Sequence, residues 1–500
     1  MMPAVTGVGR FHWMLAAATG MCSASVVVEI ITPSYLLSPA AWATCDLRMD
    51  AGDRSLLGAI VFIGMLVGTH SWGVAADSWG RVPLLRFTLL ADAAVAAVSS
   101  LLPDKRLFLA ARFFNGFLAA APTSTGMAYL GEFHAEASRA KAIIILGLFP
   151  GGATLVVAGL AYLILPMQLS WTLPWLDTPR RAPRPWRLFV LLNALTPLLT
   201  GLAFVWLPES PRFLLSAGRA ERALDSLRTV YALNKVRALV TPVGQVTPTT
   251  PRGAQRLLAI WSQTVPLFRR EHLRNTLLLC TVMFAVICGA NGVLVWLPEI
   301  FGRMATFASL HPGQEASACE AILGLQQIAA NASSASAAAG TLQTAQDCGG
   351  VLQDAMFINT GIIGVSNVLV GLLGVMVVNL IGKRNLLVGS LVVAGVCGGL
   401  MTQLRSPAAL LALACGLVSL STTCISGVVA VAVENYPTVL RATAVSLCIL
   451  AGRAGSMTGS LLFGVLLETQ CVAAFLSLGS LLAACGVLSL LLPRRGLYAR

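Results

Sequence analysis

The segment Glu132-Phe-His-Ala-Glu-Ala-Ser-Arg139 recurs in kind, about three hundred residues later, as Glu434-Asn-Tyr-Pro-Thr-Val-Leu-Arg441. Each copy sets a glutamate seven residues before an arginine, follows a long apolar stretch and precedes another. Charges this sparse punctuate hydrophobic segments, and repeating the punctuation predicts two related membrane halves. A chain built in that way is expected to move a solute across a bilayer.

Composition supports the same class. Of the 500 residues, 56% are hydrophobic and 11% charged, against roughly one quarter charged in soluble domains. Several apolar windows reach the roughly 20 residues that cross hydrocarbon as helix. The fold class expected is therefore an all-α polytopic membrane protein with the lipid bilayer around it. The net charge of +13 is what cytoplasmic loops of membrane proteins produce. No basic and aromatic cluster has the character of a nucleic-acid surface, so no nucleic-acid partner is expected. Most of the 12 cysteines lie in apolar spans as small buried hydrophobes. No CxxC pair or His cluster suggests a metal. There is no nucleotide loop of the Gly-rich Lys-Ser/Thr kind and no nucleophile beside a base, so neither a cofactor nor an enzyme is expected. Arg10 and His12 precede a first apolar run of bilayer length, which reads as a retained helix rather than a cleaved signal.

Twelve spans are expected, near 11–37, 55–76, 84–102, 107–131, 141–165, 186–207, 275–298, 356–380, 385–404, 407–432, 442–466 and 470–492. They divide into a six-helix bundle over 1–207, a linker with amphipathic helices over 208–274, and a second six-helix bundle over 275–500. Basic residues crowd the linker and fall on the same side at Arg81, Arg86, Arg139, Lys383, Arg384 and Arg494. The loop at about 304–354 has no Lys or Arg. The linker side and both termini are thus expected in the cytoplasm. Arg180, Arg181, Arg184 and Arg187, on the opposite side, argue back. The 304–354 loop, rich in Ala, Ser, Gly and Gln, reads as a flexible exoplasmic excursion. Its sequon Asn331-Ala-Ser333 is a glycosylation candidate. Cys319 and Cys348 are expected to pair in an oxidising compartment.

Where the second span meets the linker side stands Gly73-Val-Ala-Ala-Asp77-Ser-Trp-Gly80-Arg81, and after the eighth stands Asn379-Leu-Ile-Gly382-Lys383-Arg384. Both resemble the loop signature of the major facilitator superfamily. The second departs from it, with Asn379 where an Asp is usual and Val375 where a Gly is usual, so its lock is expected to be weaker. In the first, Ser78 replaces a basic residue. Trp186-Arg187-Leu-Phe, Arg112-Phe-Phe-Asn-Gly116 and Pro208-Glu209-Ser210-Pro211-Arg212 resemble the sugar-porter and organic-ion branch. Gly292-Val-Leu-Val-Trp296-Leu297-Pro298-Glu299 and Ala451-Gly-Arg453-Ala-Gly455 look like the synaptic vesicle glycoprotein 2 and related-protein group. So does the long loop between spans seven and eight. The resemblance implies a major facilitator fold: twelve helices in two pseudo-symmetric bundles that rock about a midplane site. It also implies a cytoplasmic gate made by Glu132 with Arg139, Glu434 with Arg441, and Asp77, Arg81, Glu209 and Arg212. Solvated helix-end charges are the plainer reading of the same residues.

Charges within the spans are costly and therefore informative, at least about 2.5–3.5 kcal/mol each at the bilayer centre. Glu29, Asp92, Arg112 and Arg453 occupy such places, and His70 stands near the inner part of span two. Arg453 resembles the span-eleven arginine of organic-anion and vesicle-related members. Facing a cavity it would attract carboxylate or sulfonate; the alternative is an internal pair with Glu29. Glu29 is the candidate for coupling to a proton, Arg112 is either structural or in the pathway, and Asp92 reads as a helix-to-helix hydrogen bond. Asn291 and Trp296 are candidates to line the cavity, with an interfacial anchor as the alternative for Trp296. The expected substrate is a small organic ion, an anion first, carried with or against a proton or counter-ion. The rivals are a non-transporting vesicle protein and a sugar facilitator. Span ten offers Ser419, Ser421, Thr422 and Thr423 where a sugar site wants amide and aromatic groups.

Overall fold

The computed structural model describes residues 9–38, 43–134, 146–167, 185–234, 264–338, 353–436 and 438–492. It is helical throughout, with no strand among the described residues. Hydrocarbon offers no water to an exposed N–H or C=O, so a spanning segment must satisfy its backbone internally, and a helix does so. The elements before the linker are α1 (Arg10–Leu36), α2 (Ala51–Trp79), α3 (Arg81–Ser99), α4 (Lys105–Phe133), α5 (Leu148–Ile164) and α6 (Pro185–Ala203), the last broken at Ala194. Two short helices follow, α7 (Pro211–Ser216) and the amphipathic α8 (Ala220–Leu233). Then come α9 (Arg270–Leu310), α10 (Ala318–Ala338), α11 (Asp354–Ile381), α12 (Lys383–Leu400), α13 (Pro407–Asn435), α14 (Thr438–Thr469) and α15 (Cys471–Leu488).

Among the described residues, ten helices are long and apolar enough to cross a membrane. The other two expected crossings fall on α4, which carries Arg112 and Asn115 in its middle, and on the shorter apolar α5. The described part of the excursion expected over 304–354 is largely helix instead. Helix α9 runs on to Leu310, and α10 occupies much of the remainder. The reason is a buried face: Ala318, Cys319, Ala321 and Ile322 pack inward, so this segment is not free in solvent.

Contacts across the chain's two halves run chiefly through α2 against α14 and α5 against α11, with α1 against α9 adding to them. In lipid, helix association rests on close van der Waals packing, which small residues permit. Gly151 of α5 and Gly364 of α11 meet in this way: a Cβ on Gly151 would lie 2.7 Å from the Gly364 carbonyl oxygen. Any larger residue at either position would force these helices apart.

Candidate functional site

At the linker end, the chain turns from α2 into α3 through Gly80, whose φ is +105°. Its ψ of 165° places it in a region open essentially to glycine alone. The carboxylate of Glu209 sits against this turn. It accepts from the backbone N–H of Arg81 at 3.1 Å, of Val82 at 3.2 Å and of Ser210 at 2.8 Å. Glu209 thus caps α3, where free N–H groups and the helix dipole favour an anion. Burial lifts the Glu209 carboxyl above its ordinary range, and these donors with the Arg81 charge oppose the lift. Arg81 Nε donates to Glu132 Oε1 at 3.3 Å, its Nη1 donates to the Ala76 carbonyl, and its guanidinium stacks on Phe213. Tyr129 donates to the Pro208 carbonyl and Ser226 to that of Glu209. One knot therefore joins α2, α3, α4, α7 and α8. Gly73 stands exposed nearby, and Arg212 is exposed without an ion pair among the described residues.

The matching turn in the second half is looser. Gly382 also has a positive φ, +81°, but a Cβ there would meet nothing within 4 Å, whereas one on Gly80 would lie 2.3 Å from Glu209 Oε2. Lys383 is exposed, and Arg384 donates to the Leu490 carbonyl. Arg139 and Cys348 lie outside the described residues, as do the side chains of His70, Asp77, Asn379, Glu434 and Arg441.

Mid-membrane, Glu29 pairs with Arg112 and not with Arg453. Arg112 Nη1 donates to Glu29 Oε2 at 3.2 Å, with the two side chains 1% and 2% exposed. Arg112 also donates to Ser99 and lies over the Phe108 ring. Asp92 accepts from Asn115 one turn farther along α4. Arg453 is half-buried on α14 and reaches into the other half of the chain. Its Nη2 donates to Thr123 Oγ1 at 3.2 Å and its Nη1 to Met65 Sδ at 3.1 Å. No described carboxylate pairs with it. A separate apolar hollow of about 510 Å³, which Arg453 does not line, is bounded by Leu66, Cys280, Leu447, Leu450, Ala451 and Ala454 among others. Asn291 donates to Ser456 Oγ at 2.9 Å. Trp296 lines no open space: it is 1% exposed and donates to the Ser460 carbonyl, packed against α14 and α2.

A second charge cluster, at the end away from the linker, escaped the sequence reading. Glu468 of α14 accepts from Arg54 of α2 and, at 3.3 Å, from Arg303 of α9, which also donates to Glu299 at 2.6 Å. The i,i+4 spacing of Glu299 and Arg303 was the available signal; nothing local pointed to Arg54 or Glu468. At the same end Arg187, one of the arginines that argued against the orientation, donates to Asp46 at 2.9 Å and to the carbonyls of Ser100 and Leu102. The expected Cys319–Cys348 bridge is corrected: Cys319 is joined to Cys471, with Cα atoms 5.5 Å apart. The start of α10 lies on the start of α15, so the helical packing brings in a partner from outside the loop. Cys45 is also disulfide-bonded. Asn331 is exposed on α10.

Residues 31–307, more than half of the chain, match the family model described as sugar (and other) transporter. Human synaptic vesicle glycoprotein 2B is 29% identical over 319 residues, covering 59% of this chain and 46% of that protein. Mouse synaptic vesicle glycoprotein 2C is 28% identical over 323 residues, covering 60% and 44%. The alignments thus span less than half the length of these relatives. The backbone follows that of the xylose transporter XylE from E. coli in a partially occluded inward-open conformation. The TM-score is 0.64 at 16% identity, over 97% of this chain and 100% of that one. The nucleoside transporter NupG gives 0.54 at 12% identity, over 95% and 98%. At such identities the likeness carries the fold, which is that of the major facilitator transporters. The chain is a multi-pass membrane protein that belongs to the sugar (and other) transporter family.

Proposed function

We propose that the chain carries a small organic ion, an anion in preference, across its membrane by alternating access. Residues 1–207 and 275–500 would act as the two rocking bundles, joined by the linker at 208–274, with the linker side and both termini in the cytoplasm. The observation that carries the anion reading is Arg453. A guanidinium in mid-membrane is expensive unless compensated. This one is held by a hydroxyl and a thioether, with no described carboxylate, between α14 and the helices of the other half. Arg453 is the group that would meet the carboxylate or sulfonate of such an ion. A proton is the favoured coupled ion, with the buried Glu29–Arg112 pair as its site. XylE is described as a proton:xylose symporter; a counter-ion is the other option.

The test is uptake of a mixed panel of labelled organic anions, organic cations and hexoses into vesicles bearing the protein. Wild type is compared with Arg453→Ala at matched membrane amounts. Anion uptake that falls at least tenfold in the variant supports the reading. Cation or sugar uptake that survives the substitution sinks it in favour of the family's other chemistries. No uptake of any class moves the reading to a binding or trafficking role in a vesicle membrane, which the names of the relatives suggest.

A further inference from the structure

Asp92, in the middle of α3, is 1% exposed, and Asn115 of α4 is completely buried. Asn115 Nδ2 donates to Asp92 Oδ1 at 2.7 Å and to the Asp92 carbonyl at 3.0 Å. Two atoms are left over. Asp92 Oδ2 and Asn115 Oδ1 are both buried and neither has a hydrogen-bond partner. Were Asp92 ionised, both would be acceptors, and one would be a charged oxygen out of water with no donor. Buried charges avoid that cost by pairing or by neutralising. The one cation in this cluster, Arg112, is already committed to Glu29 and Ser99. Of the other helices packed on α3, α6 brings only Arg187, held at its end by Asp46, and the charged side chains described on α2 are Asp53, paired with Lys105, and Arg54, paired with Glu468. A single proton on Asp92 Oδ2 resolves the leftovers, because a carboxylic acid can donate to the amide oxygen while accepting from the amide nitrogen.

We propose that Asp92 is a proton-binding site, carried as a neutral acid coupled to the Asn115 amide, and that it exchanges its proton with Glu29 around Arg112. The cluster then holds two carboxyls, one guanidinium and one proton. With the proton on Asp92, Glu29 is the counter-ion. With the proton on Glu29, Asp92 is the counter-ion, and the sum of charges is zero in both. In this structure Arg112 serves Glu29; to serve Asp92 it would turn along α4, where it stands one turn from Asn115 and has its Nε buried without a partner. The exchange moves a proton, and with it one unit of charge, between two sites inside the first half of the chain while the total charge of the cluster stays zero, which keeps its cost low in hydrocarbon. The protonation state stands independently of what the chain carries, and only its use in coupling rests on the transport reading above.

The experiment is infrared spectroscopy of the purified full chain in lipid at neutral pH, with and without isotope-labelled aspartate. Wild type should show a protonated-carboxyl C=O band that shifts with the label and is absent in Asp92→Asn. Asp92→Asn, which replaces a neutral acid by an amide of the same shape, should melt close to wild type. In Glu29→Gln, which mimics protonated Glu29, the Asp92 band should vanish and an aspartate carboxylate band replace it. Absence of the band in wild type overturns the proposal, as does a severe loss of stability in Asp92→Asn. Persistence of the band in Glu29→Gln overturns the exchange. None of these readings depends on uptake, so failure here is separable from failure of the anion test.

Discussion

Arg54 of α2 donates to Glu468 of α14, an ion pair that joins the two halves of the chain at the end away from the linker. Arg303 holds the same carboxylate from the second half, and Gln326 of α10 donates to the Glu468 carbonyl at 3.4 Å. The shared acceptor makes this cluster a latch, because opening that end must part Arg54 from it. With side chains 16% and 19% exposed, the pair still reaches solvent and contributes about 1 kcal/mol. Arg54→Ala should therefore shift the balance between states closed and open at this end about fivefold towards open. Labelling of a cysteine introduced beside the latch, at equal protein amounts, should accelerate. Unchanged labelling would mean that the pair does not hold the end closed.

Gly80 and Gly382 share a backbone region that costs other residues about 1–3 kcal/mol, yet their surroundings differ. Gly382→Ala meets only that strain. Gly80→Ala also drives a methyl into Glu209 and disturbs the cap on α3. Gly80→Ala should lower the melting temperature more than Gly382→Ala. Equal effects would show that the Glu209 knot yields easily.

Removing one partner of a buried ion pair costs about 3–5 kcal/mol, because the other charge is stranded. Arg112→Ala should accordingly be severely destabilising. Combining it with Glu29→Gln should recover a large part of the loss, measured by thermal unfolding in detergent. Additive losses in the double variant would mean that Glu29 and Arg112 do not depend on each other.

The Cys319–Cys471 bridge closes 152 residues of chain. The chain-entropy account gives an upper bound of about 5 kcal/mol, reduced here because the membrane already confines the unfolded chain. Cys319→Ser and Cys471→Ser should lower the melting temperature equally, and the double variant no further. Peptide mapping without reductant should recover Cys319 joined to Cys471; a Cys319–Cys348 peptide would contradict the fold at the start of α15.

Much of the molecule was legible because membrane insertion is a local matter. Whether some twenty consecutive residues tolerate hydrocarbon depends on those residues alone, so the crossings, the turn at Gly80 and the in-membrane positions of Glu29, Arg112 and Arg453 could be read off the chain. Pairing was not legible. Glu29 meets Arg112 across 83 residues and Arg453 meets Thr123 across 330. Which charges meet depends on how each helix is rotated about its axis. A helix that is apolar on every side carries no polar stripe to report that rotation. For the same reason the sequence showed an alanine-rich loop at 304–354, while burial of Ala318 and Ile322 made much of it helix and gave Cys319 its partner. The sequence by itself determined the class, the number of crossings and the punctuation between them. Only tertiary packing decided who neutralises whom, because close contact between distant helices, through glycines such as Gly151 and Gly364, sets the register of every side chain they carry.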